Sequence, residues 1–376
     1  MASLLDPFKL KDTTLRNRIV VAPMCQYMSV DGAANDWHLV HYSSLARGGA
    51  GLVIVEATAV SPEGRITWAD AGLWNDAQAA ALEPIVREIK KWGAVPGIQL
   101  AHAGRKASAN RPWEGDDHIE DGKPNAWTTI APSPLPFGAK LNKVPKEMSV
   151  DDIHRVQTDM KAAIVRAREL GFEWLQLHFA HGYLAQNFWS IHSNHRSDEY
   201  GGNAFNRGRY LRETLDVAKA VWPENKPLTA RLGVVDFDGN DEQMLSESID
   251  LLKTMKTQGL DSVDVSMGFN TPNSSIPWGT NMMVDITSRV LKETNLPGTT
   301  SWLLDDALGT NRLIQEGKID FASFGRRLLA EPHWPYRAAK EILGNANLSN
   351  TNESHAAAAW ATLPAPYAHW LANYRE

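Results

Sequence analysis

Phe172-Glu173-Trp174-Leu175-Gln176-Leu177-His178-Phe179-Ala180-His181-Gly182-Tyr183 is the stretch on which the reading of this chain turns. Its first half, Phe172–Leu177, is apolar with little alternation, as expected of a strand covered on both faces. Its second half sets two imidazoles and a phenol within six residues, where the strand gives way to a loop. Two imidazole N–H groups can grip one carbonyl oxygen, and a phenol beside them can deliver a proton.

Working outward, short runs of the same kind recur at Arg18–Ala22, Gly51–Ala57, Gly97–Ala101, Leu228–Leu232, Ser262–Ser266, Gly298–Trp302 and Phe321–Phe324; with Phe172–His178 they make eight. Helical stretches lie between them. Asp76–Trp92 has Asp76 as its cap, and Val150–Leu170 has Ser149 and Asp152 in a capping-box arrangement. Asn206–Val221, Asp241–Gln258, Asp285–Thr294, Asp306–Glu316 and Glu331–Leu343 complete the set. Gly171, Gly259 and Gly317 stand where helices should end and supply left-handed caps. Eight β–α units predict an α/β fold, a single (β/α)8 TIM barrel over 1–343. A doubly wound sheet with a second domain is the alternative, but no G-x-G-x-x-G turn follows an early strand to support it.

Two segments exceed a minimal barrel. Residues 103–146, rich in Pro, Gly, Asn and Trp, predict a lid inserted after the third strand. Residues 344–376 predict a linker and a tail: polar, Ala-rich 344–362 reads as a flexible connector. The tail then turns aromatic at Tyr367, His369, Trp370 and Tyr374, and is expected to dock on its own barrel or on a neighbour.

Composition narrows the function. Hydrophobic residues make up 43 % of the 376, enough for a large core. The net charge is −6 with no basic stripe, which argues against nucleic-acid binding. The N-terminal residues lack a signal-peptide pattern, and no apolar run reaches membrane-spanning length. Cys25 is the one cysteine, so no internal disulfide can form. A cytoplasmic protein with no membrane partner is expected. The fourteen Trp suit aromatic-walled pockets, interfaces or simply a core.

Barrel chemistry gathers at the carboxyl ends of the strands. There the chain delivers Ala22-Pro23-Met24-Cys25-Gln26-Tyr27, Glu56-Ala57-Thr58, Gln99, His102 with Gly104-Arg105-Lys106, the His178–Tyr183 group, Arg231, Trp302 and Phe324-Gly325-Arg326-Arg327. Gly325 allows close backbone approach, and Arg326 offers a partner for a phosphate, where barrels commonly bind one. The bland reading of Arg326 and Arg327 is a surface ion pair. Gln99 and Arg231 are polar inside apolar strands and must face something polar. A flavin ring would satisfy both; an internal ion pair, for example Arg231 with Glu56, would also serve. His178 and His181 have the spacing of half a metal site, yet strand one supplies no further ligand and strand eight ends in Gly-Arg. No metal is therefore expected. Cys25 is either an inert buried thiol or a sulfur beside a cofactor. A metal-dependent hydrolase and a non-catalytic flavin or phospho-ligand module stand as the other readings.

Taken together, Pro23-Met24-Cys25-Gln26-Tyr27, Gly49-Ala50-Gly51-Leu52, Glu56-Ala57-Thr58, Gln99 through Arg105, His178 through Leu184, Asn194 through Gly202 and Asn206-Arg207-Gly208-Arg209-Tyr210 resemble the Old Yellow Enzyme family. The likeness runs over nearly the whole chain, in the expected order. Cys25, the His178/His181 pair and Pro364–Trp370 resemble its thermophilic-like branch, with bacterial xenobiotic reductases the nearest likeness. Ile191-His192 departs from it, where Ser-Pro is usual. The resemblance implies non-covalent FMN contacted by Ala22, Pro23, Met24, Cys25, Ala57, Gln99, Arg231, Trp302, Gly325 and Arg326. It implies that His178 and His181 hold a substrate oxygen, that Tyr183 donates a proton, and that Tyr27 and Trp302 line the substrate pocket. NADPH is the implied reductant, with NADH the alternative. Implied substrates are electron-poor alkenes, quinones or nitro compounds, reduced as α,β-unsaturated carbonyls are by an ene-reductase. A homodimer or higher homo-oligomer is implied too, with Trp370 reaching a neighbour's pocket.

Overall fold

In the computed structural model, which describes residues 1–345 and 352–373, eight parallel strands make one sheet curled into a nearly closed barrel. They are β1 (Ile19–Val21), β2 (Leu52–Ala59), β3 (Val95–Ala101), β4 (Trp174–Phe179), β5 (Leu228–Val235), β6 (Ser262–Met267), β7 (Gly298–Thr299) and β8 (Ala322–Phe324). The order is β7-β6-β5-β4-β3-β2-β1-β8. No ladder joins β7 to β8. Instead Asp320 N–H donates to Gly298 O, and Gly298 N–H donates to the Asp320 carboxylate, both at 2.9 Å. This small bracket closes the ring.

One main helix follows each strand: α1 (Asp36–Arg47), α2 (Asp76–Lys91), α3 (Val150–Glu169), α4 (Arg209–Lys219), α5 (Asp241–Gln258), α6 (Val284–Thr294), α7 (Ala307–Gln315) and α8 (Trp334–Asn345). The Ser149 cap of α3 forms with Asp152 as the pattern predicts. At α2 the cap is Asn75, which accepts from Gln78 N–H, and Asp76 lies in the first turn. Gly208 splits the stretch expected at Asn206–Val221 into Ala204–Arg207 and α4. The stretch expected from Glu331 starts as a helix only at Trp334, after a short turn Arg326–Ala330. Helix α1 was not expected. Two of its buried residues, His38 and Tyr42, carry polar atoms, so its inward face does not look apolar.

A hairpin of Phe8–Leu10 with Thr13–Leu15 supplies Phe8 and Leu15 to an apolar cluster with Val20, Leu52, Val95, Trp174 and Phe321. These residues lie toward the amino ends of the strands, and they plug the floor. The lid segment is stitched down at several points: Trp127 Nε1–H donates to Glu63 O at 3.0 Å, and Arg105 donates to Pro136 O at 3.1 Å.

The connector expected at 344–362 is corrected in part. Asn352–Thr362 is a helix, α9, and Ala365–Asn373 is another, α10. Residues 346–351 and Tyr374 lie outside the described residues. Alanine-rich 352–362 has high helix propensity, and Ala358, Ala359 and Thr362 are buried. The pair docks on its own barrel: Arg47 of α1 sits 5.7 Å from the Tyr367 ring, and a Cβ at Gly49 would come within 2.7 Å of Thr362 O.

The register of β2 on β3 slips between Val55 and Ala57, leaving Glu56 as the extra residue of a bulge. Its buried carboxyl accepts from Tyr42 O–H at 2.9 Å and from Gln26 N–H at 2.8 Å, and lies 3.6 Å from His38 Nε2. Burial raises Glu56 to about 8 and lowers His38 to about 4. The contact has ion-pair distance, but between those values both groups are neutral. A carboxyl with a raised folded pKa binds its proton more tightly folded than unfolded. Its contribution is therefore complete below about pH 4.5 and is lost as pH rises through about 8. Thermal melts at about pH 5 and about pH 8.5 are expected to show a smaller drop for Glu56→Gln than for the wild type. Equal drops would mean that Glu56 does not hold its proton.

Candidate active site

Side chains alternate along a strand, so Trp174, Gln176 and His178 share one face of β4. Register sets Gln99 of β3 beside Gln176, His178 beside Arg231 of β5, and Arg231 beside Asp264 of β6. Gln99 Nε2 donates to Gln176 Oε1 at 2.7 Å. Arg231 Nε lies 3.3 Å from Asp264 Oδ2, and its outer nitrogen donates to Ser301. The internal partner of Arg231 is thus Asp264 and not Glu56, which the bulge commits to Tyr42 and Gln26. Burial pushes Asp264 up to about 6 against the pull of Arg231.

Above this layer the three rings meet. The His178 ring centroid is 4.9 Å from His181 and 5.2 Å from Tyr183, and His181 is 6.2 Å from Tyr183. The turn that gathers them is left-handed at His181 (φ 64°) and Gly182 (φ 69°). A Cβ at Gly182 would come within 2.3 Å of Phe269 O and 2.8 Å of Lys106 Nζ, so glycine is required there. Lys106 lies beneath. Its ammonium donates to His181 O and Phe269 O, both at 2.8 Å, and faces the Phe137 ring of the lid at 4.1 Å. Burial lowers Lys106 to about 7. His181 Nε2 is 2.8 Å from Ser266 Oγ, which also accepts from Trp302 Nε1–H at 2.9 Å.

Burial, followed by the charge of Arg231, holds both imidazoles well below the usual histidine range. Burial holds the Tyr183 phenol well above the usual tyrosine range. Near neutral pH the trio is therefore two neutral imidazoles and a protonated phenol. Each can donate a hydrogen bond, and none carries a charge.

A cavity of about 900 Å³ opens beside His181, lined in part by Ala22, Pro23, Met24, His181, Arg231, Trp302, Gly325 and Arg326; His178, Tyr183 and Tyr27 are not on this lining. Its size falls within the roughly 300–1,000 Å³ usual for ligand pockets. Of the expected cofactor contacts, Cys25, Ala57 and Gln99 are not on this lining. The Cys25 thiol instead meets the Ala57 backbone and Tyr27, and burial raises its pKa. Tyr27 sits edge-on to Trp113 of the lid, centroids 6.0 Å apart. Trp370 is not on the lining either; it points outward on α10 and is 73 % exposed.

The lining suits a planar heteroaromatic carrying a phosphate. Among the described residues Arg231 Nε, on the lining, is buried without a hydrogen-bond partner, as is His178 Nδ1, off the lining on the strand next to it. A Cβ at Gly325 would press on Met24 Sδ at 3.3 Å. Arg326 is exposed and makes no ion pair among the described residues. Met24, Trp302 and Leu304 give flat apolar walls. Among the described residues no group of three or more His, Cys, Asp or Glu is placed to hold a metal ion, and no helix is long and apolar enough to cross a membrane.

Asp264, Ser266, Phe269 and Trp278 were not singled out from sequence. Trp278, 58 % exposed, stands 5.9 Å from the Trp302 ring. The signal for Asp264 and Ser266 was present. In Ser262-Val263-Asp264-Val265-Ser266 polar residues alternate with valines, the same mark of an inward polar face that exposes Gln99 and Arg231.

Comparison with known proteins places the chain in a family. The sequence pattern of the NADH:flavin oxidoreductase / NADH oxidase family, an FMN family, matches residues 3–345. The NADPH dehydrogenase of Geobacillus sp. (strain WCH70) is 38 % identical over 341 residues, 90 % of this chain and 94 % of that one. Among solved structures, a 2-naphthoyl-CoA reductase superposes with a TM-score of 0.81 at 21 % identity over 90 % of this chain, which spans about half (52 %) of that protein. Old Yellow Enzyme from Pichia sp. AKU4542 superposes with a TM-score of 0.73 at 24 % identity, over 89 % of this chain and 86 % of that one. These two likenesses carry the barrel fold. The family match and the bacterial relative carry the chemistry: this chain is an FMN-dependent NAD(P)H oxidoreductase of the NADH:flavin oxidoreductase / NADH oxidase family, the family of Old Yellow Enzyme.

Proposed function

We propose that the protein is a cytoplasmic ene-reductase that uses NADPH to reduce α,β-unsaturated carbonyls and related electron-poor compounds, quinones and nitro compounds included. The observation that carries this reading is the cluster of His178, His181 and Tyr183, ring centroids within 6.2 Å of one another, with His181 lining an open cavity. The relative named an NADPH dehydrogenase supports the choice of reductant.

Bound FMN would supply the hydride chemistry that links the reduced nicotinamide to the electron-poor carbon of the substrate. Arg231, Gly325 and Arg326 would hold it, with Ala22, Pro23, Met24 and Trp302 as walls; Cys25, Ala57 and Gln99 lie off that lining. His178 and His181 each donate an N–H to the substrate carbonyl oxygen. As that oxygen gains negative charge, the two hydrogen bonds strengthen, and this lowers the barrier. Neutral imidazoles suit the task, because they need not be desolvated as cations. Tyr183 delivers its proton to the carbon next to the carbonyl. Its raised pKa keeps the proton in place until a strongly basic carbon forms. Tyr27 and Trp302 bound the substrate, and Trp113 and Trp278 stand at the mouth. On the outside, Trp360, Tyr367, Trp370 and Leu371 leave an exposed apolar face on α9 and α10. It supports a homodimer in which Trp370 enters a partner's cavity.

Three outcomes test this reading. Tyr183→Phe is expected to slow reduction of a simple enone by about 10²-fold or more, with reduction of the flavin by NADPH largely retained. Stopped-flow traces of the two half-reactions separate the effects, and equal losses would remove Tyr183 as the acid. His178→Ala is expected to weaken a phenol that mimics the charged oxygen, and to cost about 10²–10³-fold in enone kcat/KM. An unchanged phenol titration would take His178 off the oxygen. Arg326→Ala is expected to loosen FMN by about 10-fold or more, read as flavin released on dilution. Unaltered retention would place the phosphate elsewhere.

A further inference from the structure

We infer that Ser266 is a positioning residue, which directs the proton of His181 onto Nδ1 through a donor relay starting at Trp302. The inference rests on the proposed role of His181 as a donor to the substrate oxygen, and it concerns which nitrogen does the donating.

Ser266 is wholly buried on β6, two residues beyond Asp264 and on the same face. Its Oγ has two neighbours: Trp302 Nε1 at 2.9 Å and His181 Nε2 at 2.8 Å. An indole nitrogen can only donate, so the Trp302 N–H occupies one lone pair of Oγ. The Ser266 O–H then has one acceptor among the described residues, His181 Nε2. If the hydroxyl donates there, Nε2 is bare and the imidazole proton sits on Nδ1. Trp302 Nε1–H, Ser266 Oγ–H and His181 Nε2 are then all satisfied, and the Nδ1–H is left for a ligand.

The opposite tautomer fails on two counts. With the proton on Nε2, Oγ would accept twice and its own O–H would be buried with nothing to meet. Nδ1 would also turn a lone pair toward a substrate oxygen that offers only lone pairs. An imidazolium could donate from both nitrogens, but burial and the cations of Arg231 and Lys106 oppose it. Among the described residues Nδ1 has no hydrogen-bond partner, and His181 lines the cavity. The ring is also fenced in, with His178 at 4.9 Å, Phe269 at 5.8 Å and Trp302 at 5.9 Å between centroids. Register, hydroxyl and indole together leave one orientation and one tautomer.

The test is ¹⁵N NMR of the FMN-loaded protein labelled at histidine, with 4-hydroxybenzaldehyde bound and His181 assigned by its absence in His181→Asn. A protonated Nδ1 and a bare, hydrogen-bonded Nε2 are expected. Ser266→Ala should lose that pattern and bind the phenol about 10-fold or more weakly; Ser266→Thr, which keeps the hydroxyl, should restore both. A proton on Nε2 in the wild type would overturn the inference. So would a Ser266→Ala protein that keeps the Nδ1–H pattern and full phenol affinity. Should Ser266→Ala not fold, the wild-type spectrum decides alone. Enone turnover separates the two proposals: turnover with Nε2–H sinks the relay alone, and Nδ1–H without turnover sinks the ene-reductase reading alone.

Discussion

A guanidinium buried in the throat of the barrel is the constraint from which the site follows. An unpaired charge at that depth would cost more than the fold could bear. The barrel answers with register: Arg231 stands between His178 on one strand and Asp264 on the next. Asp264 supplies the countercharge; burial first, and this cation second, keep the adjacent imidazoles from protonating. Among the described residues Nε of Arg231 is still without a hydrogen bond. The same charge that adds to the effect of burial on the histidines therefore holds a donor in reserve at the cavity wall.

The eight strands were legible as short, largely apolar runs with little alternation, and the polar residues inside them, as at Gln99 and Arg231, marked the inward face. The same rule applied to the sixth strand would have exposed Asp264 and Ser266. Helix α1 was illegible because half of its buried face is His38 and Tyr42, whose polar atoms serve Glu56, beside only Leu45 and Ala46. The bulge at Glu56 could not be read either, since one extra residue in a ladder leaves no mark on periodicity. The tail was misjudged where alanines looked like a loose connector but form a helix with a buried small-residue face.

The position of the paired histidines, by contrast, could be read from spacing alone, but not their protonation. Three residues in a turn fix where His178, His181 and Tyr183 can be. Whether they are charged depends on burial and on Arg231, which lies some fifty residues further along the chain. Which nitrogen of His181 faces the cavity depends on Ser266 and Trp302, from two other strands' ends. Sequence places the groups; tertiary contacts set their protonation.

The ammonium of Lys106 ties together three segments that vary independently in most barrels. It binds the carbonyl of His181 in the β4 loop, the carbonyl of Phe269 in the β6 loop, and the face of Phe137 in the lid. Loops that share a keystone are not interchangeable parts. A lid grafted from a relative onto this barrel would have to bring an aromatic face to that cation, or the histidine turn would lose its footing along with the graft. Altering substrate scope by loop exchange in this protein is thus a problem of moving three segments at once.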